Sequence, residues 1–301
     1  MKPDLVAYDK PQDAVFSRSK LADVLVLAKV RVNALVVATT AGGYYMAGEA
    51  VDFGTLVAAC LGTALVASGA AAVNQVTERD TDRLMDRTRL RPIADGRMSA
   101  GEGWMIAGAL SAVGLLTLWL TTNAVAMIVA LATLVTYAMV YTPLKRRSSL
   151  ATVVGAVPGA LPPLIGWAAA GGSLGTVAPW TLFLISFLWQ MPHVLAIAWI
   201  YREDYARAGM PVLPVIDRLG GLTGRQAALW AATLVPFSEM PFLIGLTNAV
   251  YAVGALVLGL AQLATAIRFL RHRSEVNARV LFYASITYLP LLWILMVLGK
   301  R

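Results

Sequence analysis

Apolar stretches of about 20 residues recur from one end of the chain to the other, and that is the length a helix needs to cross the hydrocarbon core of a bilayer. Few folds are open to such a chain. In lipid every backbone donor and acceptor must be satisfied internally, so only helices or closed barrels span. The alternating ten-residue segments of a barrel are missing here. Composition agrees: 58% of the 301 residues are hydrophobic and 14% charged, against roughly 45–50% apolar in soluble domains. The sequence predicts an all-α polytopic membrane protein, with nine transmembrane helices in one bundle around a central cavity. The spans run near 22–45, 53–74, 102–121, 123–142, 151–169, 176–200, 224–246, 249–270 and 278–298. Residues 1–21 are too polar for a signal peptide and read as a tail with an interfacial helix. Residues 22–301 form one domain without a linker.

The basic residues set the orientation. With nine spans and the N-terminus inside, 21 of the 25 Lys and Arg fall in segments on one side, and the connections "MAGEAVD", "TTN", "AGGSLGT" and "TNA" on the other side carry none. The positive-inside rule then makes the N-terminus cytoplasmic, in the inner (cytoplasmic) membrane of a cell. Only Lys300 and Arg301, at the extreme end, sit on the other side. The net charge of +8 reflects this topology. A nucleic-acid partner would need a basic aqueous domain, which is absent. The lone cysteine, Cys60, lies inside the second span; it excludes a disulfide and a thiolate metal site and reads as a small core residue.

Against this background the stretch "NQVTERDTDRLMDRTRLRPIADGR" (74–97) stands out, because eleven of its 24 residues are charged. Asn74, Glu78 and Asp82 fall at i, i+4 and i+8, which puts all three on one helical face. Asp80 points the other way and Asp86 lies at the edge of the stripe. One amide and two carboxylates make an oxygen-only donor set at the mouth of a membrane helix. Mg²⁺ takes such a set, usually one or two carboxylates completed by water and phosphate oxygens. The competing reading is an exposed helix end laced with acid–Arg pairs at i,i+3 and i,i+4. Asn74 argues against it, since a polar group inside an apolar span is costly and usually functional.

On the metal reading the cations gain a role. Arg87 and Arg91 follow the carboxylates, and "YTPLKRR" brings Lys145 and Arg146 to another span end. Guanidinium forks pair bidentately with diphosphate oxygens that a metal bridges; "KRR" serves equally as a topology signal. A second acidic segment, "YREDYARAGMPVLPVID" (201–217), follows the sixth span as the first follows the second. Two four-helix halves plus a ninth helix would let the two segments face each other. Glu203 and Asp204 could then hold a second Mg²⁺, or be interfacial acids beside Tyr201 and Tyr205. His193, in "WQMPHVLAIAWIY", is an intramembrane histidine: it can touch a metalloporphyrin, hold a proton, or be hydrogen-bonded structure. Glu239 in the seventh span has no assigned role. A membrane-embedded Mg²⁺–diphosphate site implies a lipid-tailed allylic diphosphate whose carbocation is captured in a dry cavity. The glycines and prolines of "VVGAVPGALPPLIGWAAAGG" would let helices pack closely or bend around a bulky ligand.

At this point the chain resembles a known family. "NQVTERDTDRLMDRTRLRP" is similar to the first acidic motif, Asn-x₃-Asp/Glu-x₃-Asp, of the UbiA-type intramembrane prenyltransferases. "MDRTRLRPIADGRMS", "YTPLKRRSSLATVVGAVPGALPPLIGWAA" and "MPHVLAIAWIYREDYARAGMPVLPV" resemble their protoheme IX farnesyltransferase branch, and the likeness runs from about residue 22 to 298. The resemblance implies a nine-helix enzyme that joins farnesyl diphosphate to a vinyl group of heme B with addition of water, giving heme O and diphosphate. It implies Mg²⁺ at Asn74, Glu78, Asp82, Asp204 and, as a helper, Glu203. Arg87, Arg91, Lys145, Arg146 and Arg31 would bind the diphosphate, Tyr141 and Tyr201 would line the substrate site, and His193 would face the porphyrin. A heme A synthase would be the candidate recipient of the product. Two departures are visible: "YREDY" replaces the superfamily's usual Asp-x₃-Asp, and "KVR" lacks the branch's proline. The alternatives are an aromatic, quinone or chlorophyll-type acceptor on the same chemistry, and an ion-coupled transporter. Transporter sites lie near the midplane on broken helices, whereas these acids sit at the mouth among arginines.

Overall fold

The computed structural model describes residues 19–48 and 50–301, with the Arg31 side chain outside the described part. The tail expected over 1–21 therefore lies outside it except for its last residues. Every element longer than a bridge is helical among the described residues, in the order α1 (Lys20–Leu27), α2 (Val30–Ala47), α3 (Phe53–Thr77), α4 (Arg79–Asp82), α5 (Ala100–Thr121), α6 (Ala124–Val135), a π-helical turn (Thr136–Tyr141), α7 (Thr142–Leu144), α8 (Ala151–Ala160), α9 (Pro162–Ala169), α10 (Val177–Ile200), α11 (Arg202–Arg207), α12 (Leu213–Ile216), α13 (Gly221–Leu243), α14 (Ala249–Arg271) and α15 (Glu275–Leu298). Starts are fixed by caps. Asp52 accepts from the N–H groups of Gly54 and Thr55 at 3.2 and 3.1 Å. Ser99 and Glu102 form a reciprocal capping box, and Asn123, Asn248 and Ser274 cap α6, α14 and α15. Each cap satisfies N–H groups that the first helical turn leaves open.

Seven segments among the described residues are long and apolar enough to cross a membrane. The more polar α2 and α13 pack alongside them, α2 on α9 and α3, and α13 on α10 and α14. Large apolar side chains lie exposed on the outside, among them Val113, Leu116 and Leu120 on α5, Ile128 on α6, and Val253 and Val257 on α14. Water would penalise such a belt, and lipid does not. Close crossings hold the bundle. At the α3–α5 contact a Cβ added to Gly114 would meet the Gly62 carbonyl oxygen and Val66, so the missing side chain lets the two backbones touch.

Three expected spans are not continuous helices. The first is broken at Lys29, which adopts a left-handed conformation at φ 49°. The fifth is broken at Leu161, because Pro162 and Pro163 cannot continue an α-helix from the preceding turn. The fourth passes through the π turn before Lys145. The seventh runs Gly221–Leu243, three residues earlier than the hydropathy predicts.

The two halves pack alike. α3 lies on α5 as α10 lies on α13, α5 leads to α6 as α13 leads to α14, and α15 closes the bundle on α10 and α14. At one end the two acidic segments dock through Met85, Ala208 and Met210. At the opposite end the Lys300 ammonium donates to the backbone carbonyls of Tyr45 and Gly48 at the end of α2. That contact accounts for the basic terminus, since a cation is favourable at a helix C-terminus.

Candidate active site

α3 ends at Thr77, and Glu78 breaks the helix at φ −94°, ψ 6° before α4 resumes. The ladder nevertheless bridges the break: the Glu78 N–H donates to the Asn74 carbonyl at 2.9 Å and the Asp82 N–H to the Glu78 carbonyl at 2.7 Å. The three side chains thus keep a common face, and they are buried: Asn74 is 1% exposed, Glu78 3% and Asp82 0%. Each meets a different cation. Lys29 Nζ lies 3.5 Å from Asn74 Oδ1, Lys145 Nζ 3.1 Å from Glu78 Oε1, and Arg91 Nη1 2.8 and 2.7 Å from the two Asp82 oxygens. Burial pushes the Asp82 carboxyl above its usual range, against the pull of Arg91. The Lys145 ammonium donates to Glu78 Oε2 at 3.3 Å, and Glu78 Oε1 and Asn74 Nδ2 have no hydrogen-bond partner. Buried polar atoms are costly to leave unpaired.

The opposite face of the same stretch is what the competing reading predicts. Exposed Asp80 lies 3.6 Å from Arg79 and 3.7 Å from Arg83, and Asp86 lies 3.6 Å from Arg89. The exposed side of the stretch thus carries the ion pairs of the competing reading, and Asn74, Glu78 and Asp82 lie on the buried side.

The π turn sets Tyr141 under the Lys145 ammonium, 4.8 Å from its ring centroid, with the Tyr137 ring 5.1 Å away. Gly155 leaves room for the Tyr141 ring. Arg146 is exposed and donates to Thr81 Oγ1 at 3.4 Å. Lys29, which the sequence offers only as the first residue of "KVR", is the missed member of the group. Its signal was a lysine inside an apolar stretch, and its strained φ is of the kind that marks functional sites.

Of the two acids read in the second segment, Glu203 and Asp204, only Asp204 faces the first segment. It is 8% exposed, accepts from the Arg87 backbone N–H at 3.3 Å, and pairs with Arg207. Arg207 also bridges to Asp86 at 2.6 Å and holds that carboxyl below its usual range. The Arg87 guanidinium lies over the Tyr201 ring at 5.3 Å and reaches the Tyr205 hydroxyl at 3.5 Å. Glu203 points outward, 88% exposed, with only Arg202 at 3.9 Å; α11 turns it away from its neighbour. His193 sits deeper on α10, stacked with Trp189 and Phe282 at 5.0 and 5.1 Å, with Nδ1 2.8 Å from Ser285 Oγ. Glu239 Oε1 is buried without a partner on α13. Cys60 is half-buried on α3.

Among the described residues no three His, Cys, Asp or Glu side chains form a cage for a metal ion. The donors fit Mg²⁺ in another way. They are all oxygens, two are buried carboxylates, one carboxylate oxygen accepts no hydrogen bond, and Mg²⁺ commonly takes only one or two carboxylates and fills the rest with phosphate and water. Such a set would hold the ion together with a phosphate rather than alone.

The comparisons follow the same lines. A family model described as "UbiA prenyltransferase family" matches residues 35–294. The protoheme IX farnesyltransferase of Solibacter usitatus (strain Ellin6076) is 42% identical over 290 residues, covering 93% of this chain and 99% of that one. Among solved structures, a digeranylgeranylglyceryl phosphate synthase superposes with a TM-score of 0.77 at 16% identity, over 93% of this chain and 98% of that one. A UbiA homolog from Archaeoglobus fulgidus bound to GPP and Mg²⁺ superposes with a TM-score of 0.63 at 16% identity, over 91% and 99%. These two likenesses establish the fold.

Proposed function

We propose, starting from the fact that the chain belongs to the UbiA prenyltransferase family, that it transfers a farnesyl group from farnesyl diphosphate to a vinyl group of protoheme IX (heme B). Water adds, and the products are heme O and diphosphate. One observation carries the chemistry: three buried polar side chains on one face, Asn74, Glu78 and Asp82, each set against its own cation at the charged end of an apolar bundle. The acceptor follows from the curated relative, which is named a protoheme IX farnesyltransferase.

Lys145, Arg91 and Lys29 line the place where the diphosphate would lie, with Arg87 and Arg146 at its rim. They take up the negative charge that grows on the leaving oxygen as the allylic C–O bond lengthens. Mg²⁺ held with the diphosphate by Asn74, Glu78, Asp82 and Asp204 would add further charge neutralisation. Apolar helix faces hold the farnesyl chain and keep stray water from the carbocation. The vinyl π-electrons form the new C–C bond to the farnesyl terminus. The positive charge then stands on the vinyl carbon next to the porphyrin, where water adds its oxygen and loses a proton.

The orientation follows the basic residues: nine spans, N-terminus and site mouth on the cytoplasmic side of the inner membrane. The relatives' names give no support to a heme A synthase as partner. The test is an endpoint assay on purified protein in lipid with farnesyl diphosphate, heme B and Mg²⁺, read by mass spectrometry. A heme heavier by one farnesyl group plus water is expected, and a chelator should stop its formation reversibly. Unchanged heme, with an aromatic acceptor prenylated instead, would overturn the acceptor.

A further inference from the structure

His193 is not an ordinary buried histidine, because its surroundings decide which nitrogen carries the proton. Ser285 Oγ lies 2.6 Å from the Phe282 carbonyl oxygen and 2.8 Å from His193 Nδ1. A serine hydroxyl has one proton to give. The shorter contact, to a carbonyl that can only accept, takes the Ser285 proton, which leaves Ser285 Oγ to accept from the histidine. His193 therefore carries its proton on Nδ1, and Nε2 keeps a free lone pair. Nε2 has no partner among the described residues, and the residue is half-buried rather than sealed in.

The ring is also fixed in plane. Trp189 stacks with it at 5.0 Å and 21°, and Phe282 at 5.1 Å and 27°. The Trp189 indole N–H donates to the Ser285 carbonyl at 2.7 Å, which ties α10 to the turn of α15 that supplies the serine. An imidazole with Nδ1–H donated, Nε2 bare and the ring clamped is the arrangement in which histidine ligates a metal. Among the described residues no group of three His, Cys, Asp or Glu side chains could hold a metal ion, so a metal at His193 would arrive with its other ligands already in place. A metalloporphyrin does so. His193 lies seven residues, about 10 Å of helix rise, from the Ile200 end of α10, where the charged cluster begins.

We infer that His193 Nε2 ligates the iron of the bound protoheme, and that Ser285 is the positioning residue that fixes its tautomer. This rests on the proposed acceptor. Iron ligation would hold the macrocycle at one depth, with its vinyl-bearing rim facing the farnesyl diphosphate.

The test is spectroscopic and needs no turnover. Ferric heme B is titrated into the wild-type protein in lipid, without prenyl diphosphate, and followed by optical absorption and electron paramagnetic resonance. Wild type is expected to show an imidazole-ligated iron, and H193A to lose that signature and regain it with added imidazole. S285A should weaken heme binding by about 10- to 100-fold, the usual cost of removing such a support, while S285T, which keeps the acceptor oxygen, stays near wild type. The S285A and S285T pair carries the test if H193A does not fold. Bound heme with the same spectrum in wild type and H193A overturns the inference, as does equal behaviour of S285A and S285T. Wild-type protein that makes heme O without an imidazole signature overturns the inference alone. Protein that neither binds heme nor makes product overturns the acceptor as well.

Discussion

At the scale of single residues, the site consists of polar side chains whose burial is offset by cations. Breaking a buried pair from one side leaves the other charge uncompensated and costs about 3–5 kcal/mol. Asp82, fully buried against Arg91, is the clearest case. Asp82→Ala should lower thermal stability by that order as well as stop turnover. Asp82→Asn and Glu78→Gln keep the shape and should lower turnover by at least about 100-fold, the usual cost of removing one electrostatic contact to a transition state. Asp80→Ala and Glu203→Ala, on exposed faces, should change neither. Turnover per folded protein, with thermal unfolding in the same lipid, separates the two groups; equal losses in both would mean that burial does not mark the working carboxylates. The buried trio was legible because an i, i+4, i+8 spacing survives one break in a helix. Lys29 and the Asp82–Arg91 pair were not. The first depends on a left-handed residue 45 positions before Asn74, and the second on how the chain turns after α4.

At the scale of elements, hydropathy found the segments but smoothed over the places where they bend. The breaks at Lys29 and at Leu161, and the π turn at Thr136–Tyr141, leave the apolar content of their segments unchanged. Only the proline pair 162–163 announces itself in the sequence. The π turn has no signal there, since it arises from one residue too many for the local helix. These bends matter because two of them deliver Lys29 and Lys145 to the cluster. Of the glycines read as close-packing positions in 153–172, Gly166 does pack closely, since an added Cβ would meet the Thr40 carbonyl oxygen on α2; the α3–α5 contact through Gly62 and Gly114 was not among them. Gly114→Val would drive a branched side chain into the Gly62 backbone and Val66, and should destabilise by about 1–3 kcal/mol. Thermal unfolding of the purified protein would read it, and an unchanged midpoint would mean that the two helices can separate at no cost.

At the scale of the whole molecule, the chain resolves into two similar halves whose charged segments meet at one end. The echo was visible as a repeated pattern of acids four spans apart. The bridge that joins the halves, Arg207 between Asp86 and Asp204, was not, because nothing local distinguishes that arginine from its neighbours. The halves meet where the account places metal and diphosphate together, and neither half holds the ion without the substrate. That is the central claim. The most direct measurement is calorimetric binding of farnesyl thiodiphosphate, an unreactive analogue, to wild type and Glu78→Gln with and without Mg²⁺. Mg²⁺ should strengthen binding to wild type markedly and do little for Glu78→Gln. The same Mg²⁺ effect in both proteins would contradict the claim.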